Sequence, residues 1–145
     1  MDRWLEIAAA AGAHRLVRTA WVPPGKPEGD LPAGPFILAN PLAGWKSKQW
    51  PLEHYIELAR LLGERCKLVL NVPEPIDVPG VHAHVSSIAG LIDATRRSAG
   101  VVGVDSGPLH LAAALGKPGV ALFGPTDPAR KGPYGGTITV LRRSE

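Results

Sequence analysis

Cysteine is almost missing from this sequence: Cys66 is the single thiol in 145 residues. A disulfide framework within the chain is therefore excluded, and a reducing compartment, the cytoplasm by default, suits the composition. Long apolar runs are missing too. No segment approaches the roughly 18 uninterrupted apolar residues that cross a bilayer, so the chain does not read as an integral membrane protein. The start, MDRWLEIAAAAGAHRLVR, carries Glu6 and only a weakly apolar Ala-rich centre, which argues against a cleaved export signal and for a short amphipathic helix. There is no block of like charge: the 16 Lys and Arg residues are scattered, and the formal balance is +3. That favours a local anionic ligand over nucleic acid, while loose association with anionic headgroups at a membrane surface stays compatible. No internal repeat or low-complexity run occurs. The length suits one domain with a single sizeable core and not two.

Pro and Gly, by contrast, are plentiful, and they cluster. WVPPGKPEGDLPAGP, residues 21–35, has no apolar periodicity and reads as a linker or an irregular crossing segment. Beyond it, short apolar runs alternate with helical patterns, the mark of parallel βαβ units. Strands are expected at 36–40, 67–72, 81–85, 100–105, 119–124 and 137–142. Helices are expected at 51–65, with Pro51 in the first turn, at 87–98 and at 107–116, the last closed by Gly116 and Pro118. Continuous apolar strands such as VVGV and VALF imply burial on both faces. The expected fold is α/β, a doubly wound and mainly parallel sheet in a single Rossmann-like domain over 36–145, preceded by an N-terminal helix and linker over 1–35.

In such sheets ligands bind beyond the carboxyl ends of the strands. That rule selects the loops at 40–48, 72–74, 105–110 and 124–127. At VDSGPLH a buried strand runs straight into a helix, with Asp105 and Ser106 at cap positions and Gly107 at the turn. Unpaired N–H groups and partial positive charge at such a start suit a phosphate, and Gly107 leaves the approach clear. The plainer alternative is that Asp105 or Ser106 caps the helix and His110 packs in its first turn. The dinucleotide fingerprint Gly-x-Gly-x-x-Gly is absent, Ser106 lacks the glycines of a nucleophile elbow, and no P-loop follows Gly119 or Gly124. In ANPLAGWKSKQWP, Lys46 or Lys48 supplies a mobile point charge for an anion; Lys46 is read as solvated, and Trp45 and Trp50 as packing at the domain edge. His82 and His84 alternate on one strand and, lacking a third ligand, are read as strand residues rather than a metal site.

NPLAGWKSKQWP, VGVDSGPLHLAAALGKPGVALFGPTDP and the following GPYG together resemble the second half of the glycosyltransferase family 9 proteins, the ADP-heptose:lipopolysaccharide heptosyltransferases and their relatives. The likeness runs over about residues 36–135. It implies a GT-B architecture, two Rossmann-like domains facing a cleft, with the second holding a nucleotide-sugar donor such as an ADP-sugar. It implies further that Lys48 contacts the donor phosphate and sugar region, and that the backbone at Ser106 and Gly107 holds the diphosphate. Asp105 would accept from sugar hydroxyls, His110 would sit behind the phosphates, and Glu74 would hold the ribose hydroxyls. No cofactor and no metal is implied in the transfer. The catalytic base and the lipid-linked or saccharide acceptor belong to the first domain of the family. The expectation is thus an isolated donor-binding half, an excised piece or a truncated reading frame, inactive alone and lacking its N-terminal partner domain; peripheral contact with the inner face of the bacterial cytoplasmic membrane stays open. Two other readings share the pocket: a complete nucleotide or phospho-ligand binding module without catalysis, and a hydrolase built on Ser106 and His110.

Overall fold

A computed structural model describes residues 2–142; Met1 and the last residues of the 36–145 domain lie outside the described part. Six strands, β1 (Phe36–Asn40), β2 (Lys67–Asn71), β3 (Val81–His84), β4 (Gly100–Val104), β5 (Gly119–Phe123) and β6 (Ile138–Arg142), form one sheet in the order β3-β2-β1-β4-β5-β6. Every pairing is parallel. The order reverses between β1 and β4, which makes the crevice above their carboxyl ends the topological switch point. The helices are α1 (Asp2–Ala10), α2 (Leu52–Leu62), α3 (Ile88–Arg97), α4 (Gly107–Ala114) and the short α5 (Pro128–Lys131).

The continuous apolar strands arise because neighbouring residues serve opposite faces. Leu38 and Val69 join Ala94 of α3 and Leu109, Ala112 and Ala113 of α4 on one side. Ala39, Leu68 and Leu70 join Tyr55 and Ala59 of α2 on the other. Leu38, Leu68, Leu70 and Leu109 are fully buried, each contributing about 1.5–3 kcal/mol of burial free energy. The expected doubly wound sheet is therefore the observed one. Helix ends follow local chemistry: α2 stops at Gly63, whose φ of 64° is easy only for glycine, and residues 63–65 continue as a 3₁₀ turn. Pro51 occupies the N-cap of α2 rather than its first turn.

Two regions differ from what the pattern suggested. First, α1 forms but buries none of its side chains; Trp4 and Ile7 stay exposed. Second, the Pro/Gly-rich stretch is a fastened crossing segment, not a free linker. Arg96 Nη2 donates to the carbonyls of Val22 and Pro23, at 3.0 and 3.2 Å. Lys26 N–H donates to Ala89 O, and Glu28 Oε2 accepts from Ser87 N–H. Leu31 packs against the core. Gly29 is required here: its φ is 67°, and a Cβ would lie 2.7 Å from Val85 O and 2.8 Å from His84 Nδ1. His82 donates from Nε2 to Asp30 O at 2.8 Å, and His84 is wholly buried beneath the same segment. The two histidines thus seat the strap, residues 22–31, onto β3, and Arg96 and Ala89 of α3 and its N-cap Ser87 fasten it to α3.

Candidate functional site

Three loops meet above the carboxyl ends of β1, β4 and β5. After β1 the chain forms a 3₁₀ turn, Lys46–Lys48, that reaches across the switch point. Lys48 Nζ donates to Asp105 Oδ2 at 2.6 Å. Beside it, the loop after β5 comes so close that a Cβ at Gly124 would lie 3.4 Å from Ser47 O. Thr126, in that same loop, is near enough to Asp105 to favour its ionised carboxylate. Asp105 is 9% exposed and Lys48 20%, so the pair is largely shielded from solvent. Burial pushes the Asp105 carboxyl up. The hydrogen bond from Lys48, the nearby Thr126 and the charges of Lys48 and Lys131 outweigh it and hold the pKa below the ordinary aspartate value.

The start of α4 has no side-chain cap. Ser106 is the N-cap, yet its side chain makes no capping hydrogen bond; its Oγ donates back to Val104 O at 3.3 Å. Asp105 is committed to Lys48. The helix therefore begins with Gly107 N–H lacking an intrahelical acceptor, followed by Pro108, which has no N–H. A Cβ at Gly107 would meet nothing within 4 Å, so neither packing nor backbone geometry demands glycine there. Its effect is to leave bare backbone at a positive helix end. His110 is half exposed, its Nε2 4.0 Å from Asp105 Oδ1, on the outer side of the carboxylate. Because the Ser106 hydroxyl turns to Val104 and His110 faces Asp105, the Ser–His hydrogen bond that a hydrolase would need is not formed.

Lys48, Asp105, Ser106, Gly107 and His110 are thus brought together, as the sequence suggested. Glu74 is not among them. It is exposed on the connection after β2 and lines a separate hollow of about 520 Å³ with Leu42, Lys46, Trp50, Leu70 and Val72. Trp50 packs, T-shaped on Tyr55 at 4.9 Å, as expected. Trp45 is a correction: it is 72% exposed and mostly in solvent, because the 3₁₀ turn carries it outward. Lys46 is exposed. One neighbour of Asp105 escaped the sequence: Thr126, whose GPTDP loop was flagged without a role for it. Among the described residues there is no group of three or more His, Cys, Asp or Glu side chains placed to hold a metal, and no helix long and apolar enough to cross a membrane.

The sequence model of glycosyltransferase family 9 (heptosyltransferase) matches residues 25–145. The chain belongs to glycosyltransferase family 9. The family match takes in most of the strap as well as the sheet. Lipopolysaccharide heptosyltransferase 1 of Escherichia coli K12 is 36% identical over 107 residues, 66% of this chain and 34% of that protein. Its namesake from Pseudomonas aeruginosa PAO1 is 30% identical over 121 residues, 72% of this chain and 33% of that protein. The chain thus spans about a third of the length of these curated relatives. Among solved structures, E. coli heptosyltransferase WaaC with ADP superposes with a TM-score of 0.70 at 29% identity, covering 79% of this chain and 40% of that one. A family 9 glycosyltransferase from Veillonella parvula gives 0.64 at 27% identity, covering 77% and 36%. The GT-B family fold and the sheet described above agree.

Proposed function

We propose that this α/β unit holds the nucleotide-sugar donor, ADP-heptose or a close analogue, of a heptosyltransferase that glycosylates a saccharide acceptor of the lipopolysaccharide core. The observation that carries this is the Lys48–Asp105 bridge at the switch point beside the uncapped start of α4. An ammonium has three donors, so Lys48 can keep Asp105 and still contact a phosphate oxygen. Asp105, an acceptor held ionised, offers its remaining lone pairs to sugar hydroxyls. The Ser106–Gly107 backbone and the α4 dipole face the diphosphate, and His110 stands behind it. Glu74, near the ribose in this reading, is the outlying member. The similar lipopolysaccharide heptosyltransferases, one of them solved with ADP, support the nucleotide and the sugar class.

In the transfer, an acceptor hydroxyl attacks the anomeric carbon as the bond to the diphosphate breaks. Lys48 and the α4 terminus stabilise the departing negative charge. The proton of the attacking hydroxyl needs a general base, and Asp105 is poorly suited: a carboxylate below the ordinary aspartate pKa is a weak base. We therefore assign the base and the acceptor pocket to a second unit facing these strand ends, and expect the present residues alone to transfer nothing. The reaction is placed in the cytoplasm, in keeping with the single thiol. Calorimetry of the chain with ADP, GDP and UDP tests the site: one nucleoside diphosphate should be favoured, and Lys48→Ala and Gly107→Val should each weaken it at least about tenfold, the loss of one charge-assisted contact. Unchanged affinity in both variants would sink the reading.

A further inference from the structure

Two helix starts border the crevice. Ser87 and Ile88 of the α3 start and Pro108 of the α4 start wall one hollow of about 290 Å³, together with Asn40 and Asn71, the last residues of β1 and β2. Each start of this kind carries unpaired N–H groups and about half a positive charge, so a diphosphate entering from solvent meets two attracting ends. The helix dipoles alone do not choose between them.

The side chains do. At α4 no side chain caps the first turn, and Gly107 leaves the backbone bare. At α3 the place is already taken. Ser87 Oγ accepts from Ala89 N–H at 3.2 Å, and Glu28 Oε2, from the strap, accepts from Ser87 N–H at 2.9 Å. A carboxylate thus sits where a ligand oxygen would otherwise bind. The strap holds it there: Lys26 N–H donates to Ala89 O at 3.0 Å, a Cβ at Gly25 would lie 2.3 Å from Asp93 N, and a Cβ at Gly90 would lie 2.8 Å from Glu28 Cβ. The hydrogen bond from Ser87 also keeps the Glu28 carboxyl below the ordinary glutamate range, so the charge is present at neutral pH. A neutral acceptor would satisfy the same N–H. Only a carboxylate also reverses the sign of the potential, a full negative charge set against about half a positive one.

We infer that Glu28 is a specificity-determining residue: its carboxylate closes the α3 start to anions and directs the donor diphosphate to the open start of α4. This rests on the donor-site reading above. Without that charge the diphosphate has two competing registers in one crevice, and only the register on α4 places the leaving group beside Lys48.

Amide chemical shifts of the chain during titration with pyrophosphate read both helix starts at once. In the wild type the Gly107 signal should move while those of Ser87, Ile88 and Ala89 stay. Glu28→Gln retains an acceptor for Ser87 N–H and the contact with Gly90 but deletes the charge; residues 87–89 should then respond, with pyrophosphate bound at least about tenfold more tightly there than in the wild type. Asp30→Asn removes an equal charge from the same strap, at a side chain that is 88% exposed and faces His82 of β3, and should leave residues 87–89 silent. Silence at 87–89 in Glu28→Gln overturns the inference and leaves Glu28 a structural hook. An equal response in Asp30→Asn overturns it too, by tracing the effect to net charge. An unmoved Gly107 signal in the wild type would instead refute the donor site, while the comparison at residues 87–89 still decides the part played by Glu28.

Discussion

Replacing Lys48 by Met keeps the length of the side chain and deletes its charge, and the consequence for Asp105 can be worked through. Wild-type Asp105 is 9% exposed and receives Lys48 at 2.6 Å. Fully exposed ion pairs are worth about 0–1 kcal/mol, and stranding one partner of a fully buried pair costs about 3–5 kcal/mol. With Lys48 itself 20% exposed, solvent screens part of the interaction, so Lys48→Met should cost on the order of 1–3 kcal/mol at neutral pH. The pH dependence is the sharper measure. In the wild type the Asp105 pKa lies below its value in the unfolded chain, so its contribution is present above the ordinary aspartate pKa and is lost as pH falls through the lower folded value. In the variant, burial is opposed only by Thr126 and Lys131, and the carboxyl should move upward. Denaturant titrations of both proteins should diverge most near pH 7 and converge once pH has fallen through the lowered folded value of Asp105, where the carboxyl is protonated in both. A pH-independent gap, or none at neutral pH, would refute the description of Asp105 as a shielded carboxylate held ionised by Lys48.

Two further outcomes concern the helix starts. Ser87 caps α3 by accepting from Ala89 N–H at 3.2 Å, so Ser87→Ala should lower stability by about 1 kcal/mol, whereas Ser106→Ala, whose hydroxyl caps nothing, should lie within about 0.5 kcal/mol of wild type; equal losses in urea melts would contradict the geometry at α4. Gly107→Ala should separate stability from binding. With open space at its Cβ and no positive φ, it should stabilise the fold by about 0.4–1 kcal/mol, while the added methyl weakens ADP binding; a destabilised Gly107→Ala in thermal melts would show that the glycine serves the fold.

The six strands were legible because parallel strands buried on both faces are written as uninterrupted apolar runs, and GVVGV, KLVLN and GVALF are such runs. Asp105, Ser106 and Gly107 were legible because a strand-to-helix junction is local in sequence. The Lys48–Asp105 bridge spans 57 positions, and only the strand order β1-β4 makes the two neighbours. Whether the strap is a linker or an irregular crossing segment stayed open in the sequence for a related reason. Its hold on the sheet comes from Arg96, His82 and Ser87 acting on its backbone and on Glu28, contacts that leave no periodicity in its own sequence.

The strap also makes a mechanical connection. Its Glu28 carboxylate is hooked to the N–H of Ser87, the residue that caps α3 and helps wall the hollow over Asn40. Tension on the chain ahead of Val22 would be borne by the Arg96 grip and passed along the strap to that same cap. The segment carrying the exposed side chains of Trp4, Ile7 and Trp21 is therefore tethered, through ten residues of fastened backbone, to the rim of the crevice.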